Sequence, residues 1–220
     1  MTNIPQRVRA LRFLRIIFLI SFIVSIVSLA TVLVALGVGS SREVSQAAGV
    51  TISVLTTICQ TAFLVVVVLL GITLIASMSV NKGCRIAFWF GIIAAILAIV
   101  SGVLDYTLAS RIPSHVLSMI STLCVAASIV TLIDGIYDSQ QRKSPLWNFV
   151  CISIFLLVAS TILSFVVFVA PMTAETSVAL YLVSEVGFVL AYGIIWGCTQ
   201  KSYTEVQTYL EREECSNEAK

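Results

Sequence analysis

Along this chain, apolar residues come in long unbroken runs rather than in alternating or one-sided patterns. Six runs are each long enough to cross the ~30 Å hydrocarbon layer of a bilayer as a helix of about 20 residues. They fall near Phe13–Gly37, Thr51–Met78, Ile86–Tyr106, Ser114–Tyr137, Trp147–Ala170 and Ser177–Thr199. None shows the period-2 alternation of a membrane strand, so helices are expected. Gly37, Gly39, Ser40, Ser41 and Arg42 break the first run, and Asn81, Lys82 and Gly83 break the second. Pro113 and Pro145 stand where the fourth and fifth helices should begin, where a missing N–H costs nothing, and Pro171 closes the fifth. The first run follows Arg7, Arg9, Arg12 and Arg15, as a signal peptide would, but it exceeds the roughly 7–15 apolar residues of a signal core. It is expected to stay as a helix.

Composition sharpens this picture. Of 220 residues, 59% are hydrophobic and only 11% are charged. A soluble domain carries about 25% charged residues. The mean hydropathy is +1.05. These values exclude a soluble enzyme, a disordered chain and a nucleic-acid binder. The expected fold class is an all-α integral membrane protein: six transmembrane helices as three antiparallel hairpins, with the bilayer as principal partner. A basic arm (1–12) precedes the single bundle (13–199), and an acidic, partly helical tail (200–220) follows it.

The position of the charges decides orientation where the net charge of +2 does not. With the N-terminus inside, the inner segments hold Arg7, Arg9, Arg12, Arg15, Lys82, Arg85, Arg142, Lys143, Lys201, Arg212 and Lys220. The outer segments hold Arg42 and Arg111. Short loops obey the positive-inside rule, so both termini are expected in the cytoplasm. Plasma membrane and endomembrane fit equally.

Chemistry is sparse. The only histidine is His115, which excludes a di-histidine metal site, and no C-x-x-C pair or N-x-S/T sequon occurs. Nucleophile elbow, P-loop and dinucleotide motifs are also missing, so neither enzyme activity, metal nor cofactor is expected. Cys84 and Cys198, near helix ends, are sites a palmitoyl chain could take. Tyr203-Thr204-Glu205-Val206 fits the loose Y-x-x-Φ sorting pattern.

Small residues recur at helical spacing, as expected of membrane helices that associate by close packing. Examples are Gly91, Ala95, Ala98 and Gly102 on the third run and Ser114, Ser118, Ser121, Ser128 and Thr131 on the fourth. Serines on the first and fifth runs do the same, their hydroxyls expected to bond their own backbone. A faint repeat relates Thr73-Leu74-Ile75 and the basic turn after it to Thr131-Leu132-Ile133 and its basic turn.

The sharpest signal is Glu185, about eight residues into the sixth run and so roughly 12 Å below the outer edge at 1.5 Å per residue. A charge at depth is costly and is expected to be paired or useful. At 100° per residue, Tyr181, Phe188, Tyr192 and Trp196 share its side. Gln60, at similar depth on the second run, is the expected hydrogen-bond partner. Two readings stay open. In one, Glu185, Gln60, Tyr181 and Tyr192 form an outer-half site that binds or carries a small cationic or lipophilic solute or a proton. In the other, Glu185 is protonated glue in a non-transporting scaffold or assembly subunit that packs against partner membrane proteins or further copies of itself. Asp134, with Asp138 one turn on, is expected to partner Arg142 and Lys143 at the cytoplasmic end.

Overall fold

A computed structural model describes residues 4–39, 46–77, 82–107, 112–136 and 145–218. Those residues form six helices and no strand: α1 (Ile4–Gly39), α2 (Gln46–Ser77), α3 (Lys82–Thr107), α4 (Ile112–Ile136), α5 (Pro145–Val169) and α6 (Ala174–Glu218). Five carry stretches long and apolar enough to cross a membrane: Val8–Leu36, Lys82–Leu104, Ile112–Ile136, Pro145–Val167 and Glu175–Thr208. In α2 the described apolar stretch is Val65–Ser77.

The helices overrun the hydrophobic runs at both ends of the chain. Helix α1 starts within the basic arm, and Ala10 and Leu11 there are buried. Helix α6 continues through the acidic tail as one 45-residue helix, because no glycine or proline interrupts it after Gly197. Its extension lies against α1, with Tyr203 and Val206 packed on the cluster that holds Leu11 and Leu14. The Arg15 guanidinium sits 4.5 Å from the centre of the Tyr203 ring. Tyr203 and Val206 are therefore packed on a helix, not presented as an extended sorting signal. Cys84 and Cys198, the two thiols near helix ends, are also buried, as suits inert thiols.

Local signals set the boundaries. Pro145 opens α5 and Pro113 is the second residue of α4, both positions free of an intrahelical N–H obligation. The chain leaves the helix at Pro171–Thr173. Thr173 caps α6: its hydroxyl oxygen accepts from the Thr176 backbone N–H at 3.3 Å, and Glu175 adds a negative charge to the first turn.

Polarity runs inside out relative to a water-soluble protein. Ser128, Ser184, Ser202, Thr73 and Thr199 are wholly buried, whereas Phe155, Ile99 and Ile75 are 72%, 68% and 64% exposed. Hydroxyls inside and branched apolar chains outside suit a hydrocarbon solvent, in which helices gain from close packing and shared hydrogen bonds. This is a multi-pass α-helical membrane protein.

Two seams are laced by hydroxyls at constant spacing. On α4, Ser121 and Ser128 donate to the carbonyls of Ala94 and Ala87 on α3 at 2.8 Å each, and Ser101 donates back to the Ser114 carbonyl at 2.7 Å. Each step of seven residues forward on α4 is thus seven back on α3. The α5–α6 seam repeats the device: Ser153 donates to Ala191 O at 2.6 Å, Ser184 to Ser160 O at 2.9 Å, and Cys198 reaches Leu146 O at 3.9 Å. Against expectation, these hydroxyls bridge helices. Ser21, Ser25, Thr73 and Thr131 do bond back onto their own helices.

The packing face of α3 also differs from the expected stripe. Ala87, Ala94 and Ser101 are buried, while Ala95, Ala98 and Gly102 are exposed and a Cβ added at Gly91 would meet Leu74 of α2 and Ser128 of α4. Both stripes have helical spacing, and only the hydroxyl of Ser101 distinguishes the one that faces protein. The main core gathers at one end of the bundle. It joins Leu11, Leu14 and Phe18 of α1 to Cys84 and Ala87 at the start of α3, Leu132, Ile133 and Ile136 at the end of α4, and Leu146 and Val150 at the start of α5.

Candidate functional site

At the opposite end from that core, the start of α4, the last turns of α5 and the first half of α6 enclose a cleft of about 420 Å³. Helix α4 lines it with His115, Ser118, Met119 and Thr122, α5 with Thr161, Ser164, Phe165 and Val167, and α6 with Tyr181 and Phe188. The wall therefore combines an imidazole, four aliphatic hydroxyls and a phenol with two phenyl rings. No lysine or arginine lines it among the described residues.

The hydroxyls are not equivalent to free ones. Thr122 donates its proton to the Ser118 carbonyl at 3.0 Å, and Thr161 donates to the Leu157 carbonyl at 2.8 Å. The proton of each is spent along its own helix, and the oxygen keeps lone pairs for a visitor. Tyr181 stands one turn before Glu185 on α6, close enough for the two side chains to interact. Glu185 itself is 8% exposed, eleven residues after the start of α6 and so ~16 Å along that helix at 1.5 Å per residue.

The cleft ends on an apolar floor. Ala126, Leu157 and Ala191 pack together beneath it, joined by Phe188 and Tyr192. Deeper still, Phe18, Ile129, Tyr192 and Ile195 surround a void of only about 10 Å³, too small to serve as a passage for a solute. Below its floor the cleft thus meets packed apolar side chains, with the main core toward the other end of the bundle.

The expected four-residue constellation is divided by this geometry. Tyr181 is on the cleft and Glu185 is buried immediately beside it. Tyr192 lies below the floor, packed into both apolar clusters rather than lining the cleft. Its ring packs instead against Ala126, Leu157 and Ala191. The side chain of Gln60 lies outside the described residues, as do Asp138, Arg142 and Lys143. Asp134 is partly buried near the far end of α4, remote from Glu185.

His115 and the hydroxyls Thr122, Thr161 and Ser164 line the cleft without having been expected in the site. His115 reads as a solvated loop-end histidine because it is three residues from the start of α4. Its helical spacing to Ser118 and Thr122 is the signal that puts all three on one face. Comparison of the chain with protein-family models, curated proteins and solved structures gives no match.

Proposed function

We propose that this protein binds or carries a small cationic or lipophilic solute, in the cleft between α4, α5 and α6 and beside Glu185. It acts as a binder or carrier, not an enzyme. Its six helices are three antiparallel hairpins with both termini in the cytoplasm, which makes the cleft outward-facing. The hairpin arrangement is supported by the seven-residue steps of the two hydroxyl seams, since only helices running in opposite directions give rungs that advance on one and retreat on the other. The orientation is supported by the basic residues, which gather at the end that holds the main core.

The single observation that carries the functional reading is the cleft itself, a space of about 420 Å³ with polar and aromatic walls in a bundle otherwise packed by small residues. A cavity of this size, with a few convergent polar groups on apolar walls, has the form of a small-molecule site. Its dead end favours one-sided access over an open pore. A screen of small amines and lipophilic compounds against the purified protein in lipid nanodiscs tests the reading. A ligand at 100 times its Kd should stabilise the fold by about 2.7 kcal/mol. At least one compound is expected to raise the melting temperature of the native protein but not of Ser118→Trp, in which an exposed cleft residue is enlarged. If every shift is the same in the two proteins, the cleft is not a binding site.

A second reading is favoured by α3, whose exposed Ala95, Ala98 and Gly102 leave a smooth strip facing away from the bundle. Such a strip suits a partner helix. In that reading the protein is an assembly subunit, and disulfide trapping through Ala98→Cys should join two copies.

A further inference from the structure

Resting on the solute-binding reading, the geometry points to one class of occupant: an organic cation with a substituted ammonium head, held by the rings of Phe165, Tyr181 and Phe188 and by the hydroxyl oxygens between them. Four features of the cleft converge on positive charge.

Three aromatic side chains, one from α5 and two from α6, line a single cleft. Aromatic faces are electron-rich and attract cations that shed their water, quaternary ammonium groups above all. Thr122 and Thr161, as shown above, present acceptors because their protons are engaged along their own helices. Tyr181 lines the cleft and interacts with Glu185, so its ring and that acid act on the same space. Finally, Glu185 is the only acid among the described residues of α6 between Glu175 and Glu205, and it is buried against the cleft wall. A cation brought into a low-dielectric site needs a counter-charge nearby, and this carboxyl supplies one at the distance of a phenol. The N-termini of α4 and α6 bring partial positive charge to the mouth, but that influence fades within the first turn, above Tyr181 and Phe188.

Glu185 acts here through Tyr181, as a positioning residue. Phe165 and Phe188 touch the occupant and set its shape. The chemistry selects methylated or alkylated amines over primary ones, since three aromatic rings reward a large, weakly hydrated cation.

The test uses two probes of one shape: trimethylphenylammonium and its uncharged isostere, tert-butylbenzene. Binding to the purified full-length protein in nanodiscs is measured by ligand-observed NMR competition, with monodispersity checked for every variant. The cation is expected to bind at least tenfold more tightly than the isostere. Phe188→Leu should weaken the cation three- to tenfold, the range expected from loss of one ring face. Glu185→Gln, nearly isosteric, should weaken the cation at least tenfold while leaving the isostere unchanged, a selectivity that a purely structural role would not alter. Tyr181→Phe should reproduce part of that loss. If both probes bind equally and Glu185→Gln changes neither, the inference about charge fails while the cleft remains a binding site. If neither probe binds and no screened compound distinguishes the native protein from Ser118→Trp, the inference and the binding reading fail together.

Discussion

Gly187 shows how much a single missing methyl can matter when two helices are drawn together by backbone carbonyls. A Cβ built there would collide with the Ser160 hydroxyl, while the Ser160 Cβ lies at 3.3 Å. Ser160 is also the residue whose carbonyl accepts from Ser184, so the contact cannot relax without loosening that rung. Gly187→Ala is expected to cost about 1–3 kcal/mol, the range for overpacking, read as a lower melting temperature in detergent. Ser160→Ala removes the nearest clashing atom and leaves the carbonyl in place, so the double variant should recover most of the loss. Gly102 has nothing within 4 Å of the same built atom, and Gly102→Ala should leave stability unchanged or slightly raised. A similar loss in both alanine variants would mean that the α5–α6 approach is not set by Gly187. Gly193 belongs with Gly187, since a Cβ there would meet the Phe22 ring of α1 at 2.9 Å, the ring that stacks on Trp196 with centroids 6.0 Å apart.

For the helices as elements, the hydroxyl seams decide which faces meet. Ser128→Ala breaks a buried bond between α4 and α3, leaving the Ala87 carbonyl without that donor. Interhelical bonds in membranes average about 0.6 kcal/mol and reach about 1.7. Ser128→Ala should therefore lower stability by that order, while Ser25→Ala, whose hydroxyl returns to Ser21 O on its own helix, should lower it less. Chemical denaturation in mixed micelles would read the difference, and equal losses would show that the seam adds nothing beyond burial. These elements also show what the chain discloses in advance. The six helices are legible because bilayer thickness imposes a minimum apolar length. Ser114, Ser121 and Ser128 are legible as a stripe. Whether a serine turns inward to a neighbour or back to its own helix is not, because both choices satisfy the hydroxyl with the same residue type. On α3 every face is apolar, so periodicity alone cannot rank the Gly91–Gly102 stripe against Ala87, Ala94 and Ser101. The site was legible in part for the same reason. Glu185 and Tyr181 announce themselves by polarity at depth and by four-residue spacing. The cleft does not, since it is a space between three helices, and Thr161 and Ser164 look like ordinary packing hydroxyls until α4 is placed opposite them.

At the scale of the whole molecule, the two ends of the bundle differ in a way that ties orientation to function. The described basic residues Arg9, Arg12, Arg15, Lys82, Arg85 and Lys201 all lie at the end that holds the main apolar core. Near an anionic cytoplasmic leaflet each such residue gains about 1 kcal/mol, enough in sum to fix which way the bundle inserts. On the proposed orientation the cleft, bounded by the start of α4 and the turn between α5 and α6, faces the other side. Two exposed positions report on this directly. Thr173, in that turn, should react as Thr173→Cys with a membrane-impermeant maleimide added to intact cells. Lys82→Cys, at the start of α3, should react only after the membrane is opened. The reverse pattern would turn the bundle over and expose the cleft to the cytosol, where the same aromatic walls and buried carboxyl would meet a different pool of solutes. Labelling at Thr173→Cys that a bound cation slows, with no change at Lys82→Cys, would join the two halves of the reading, because only a ligand entering from the cleft end shields that turn.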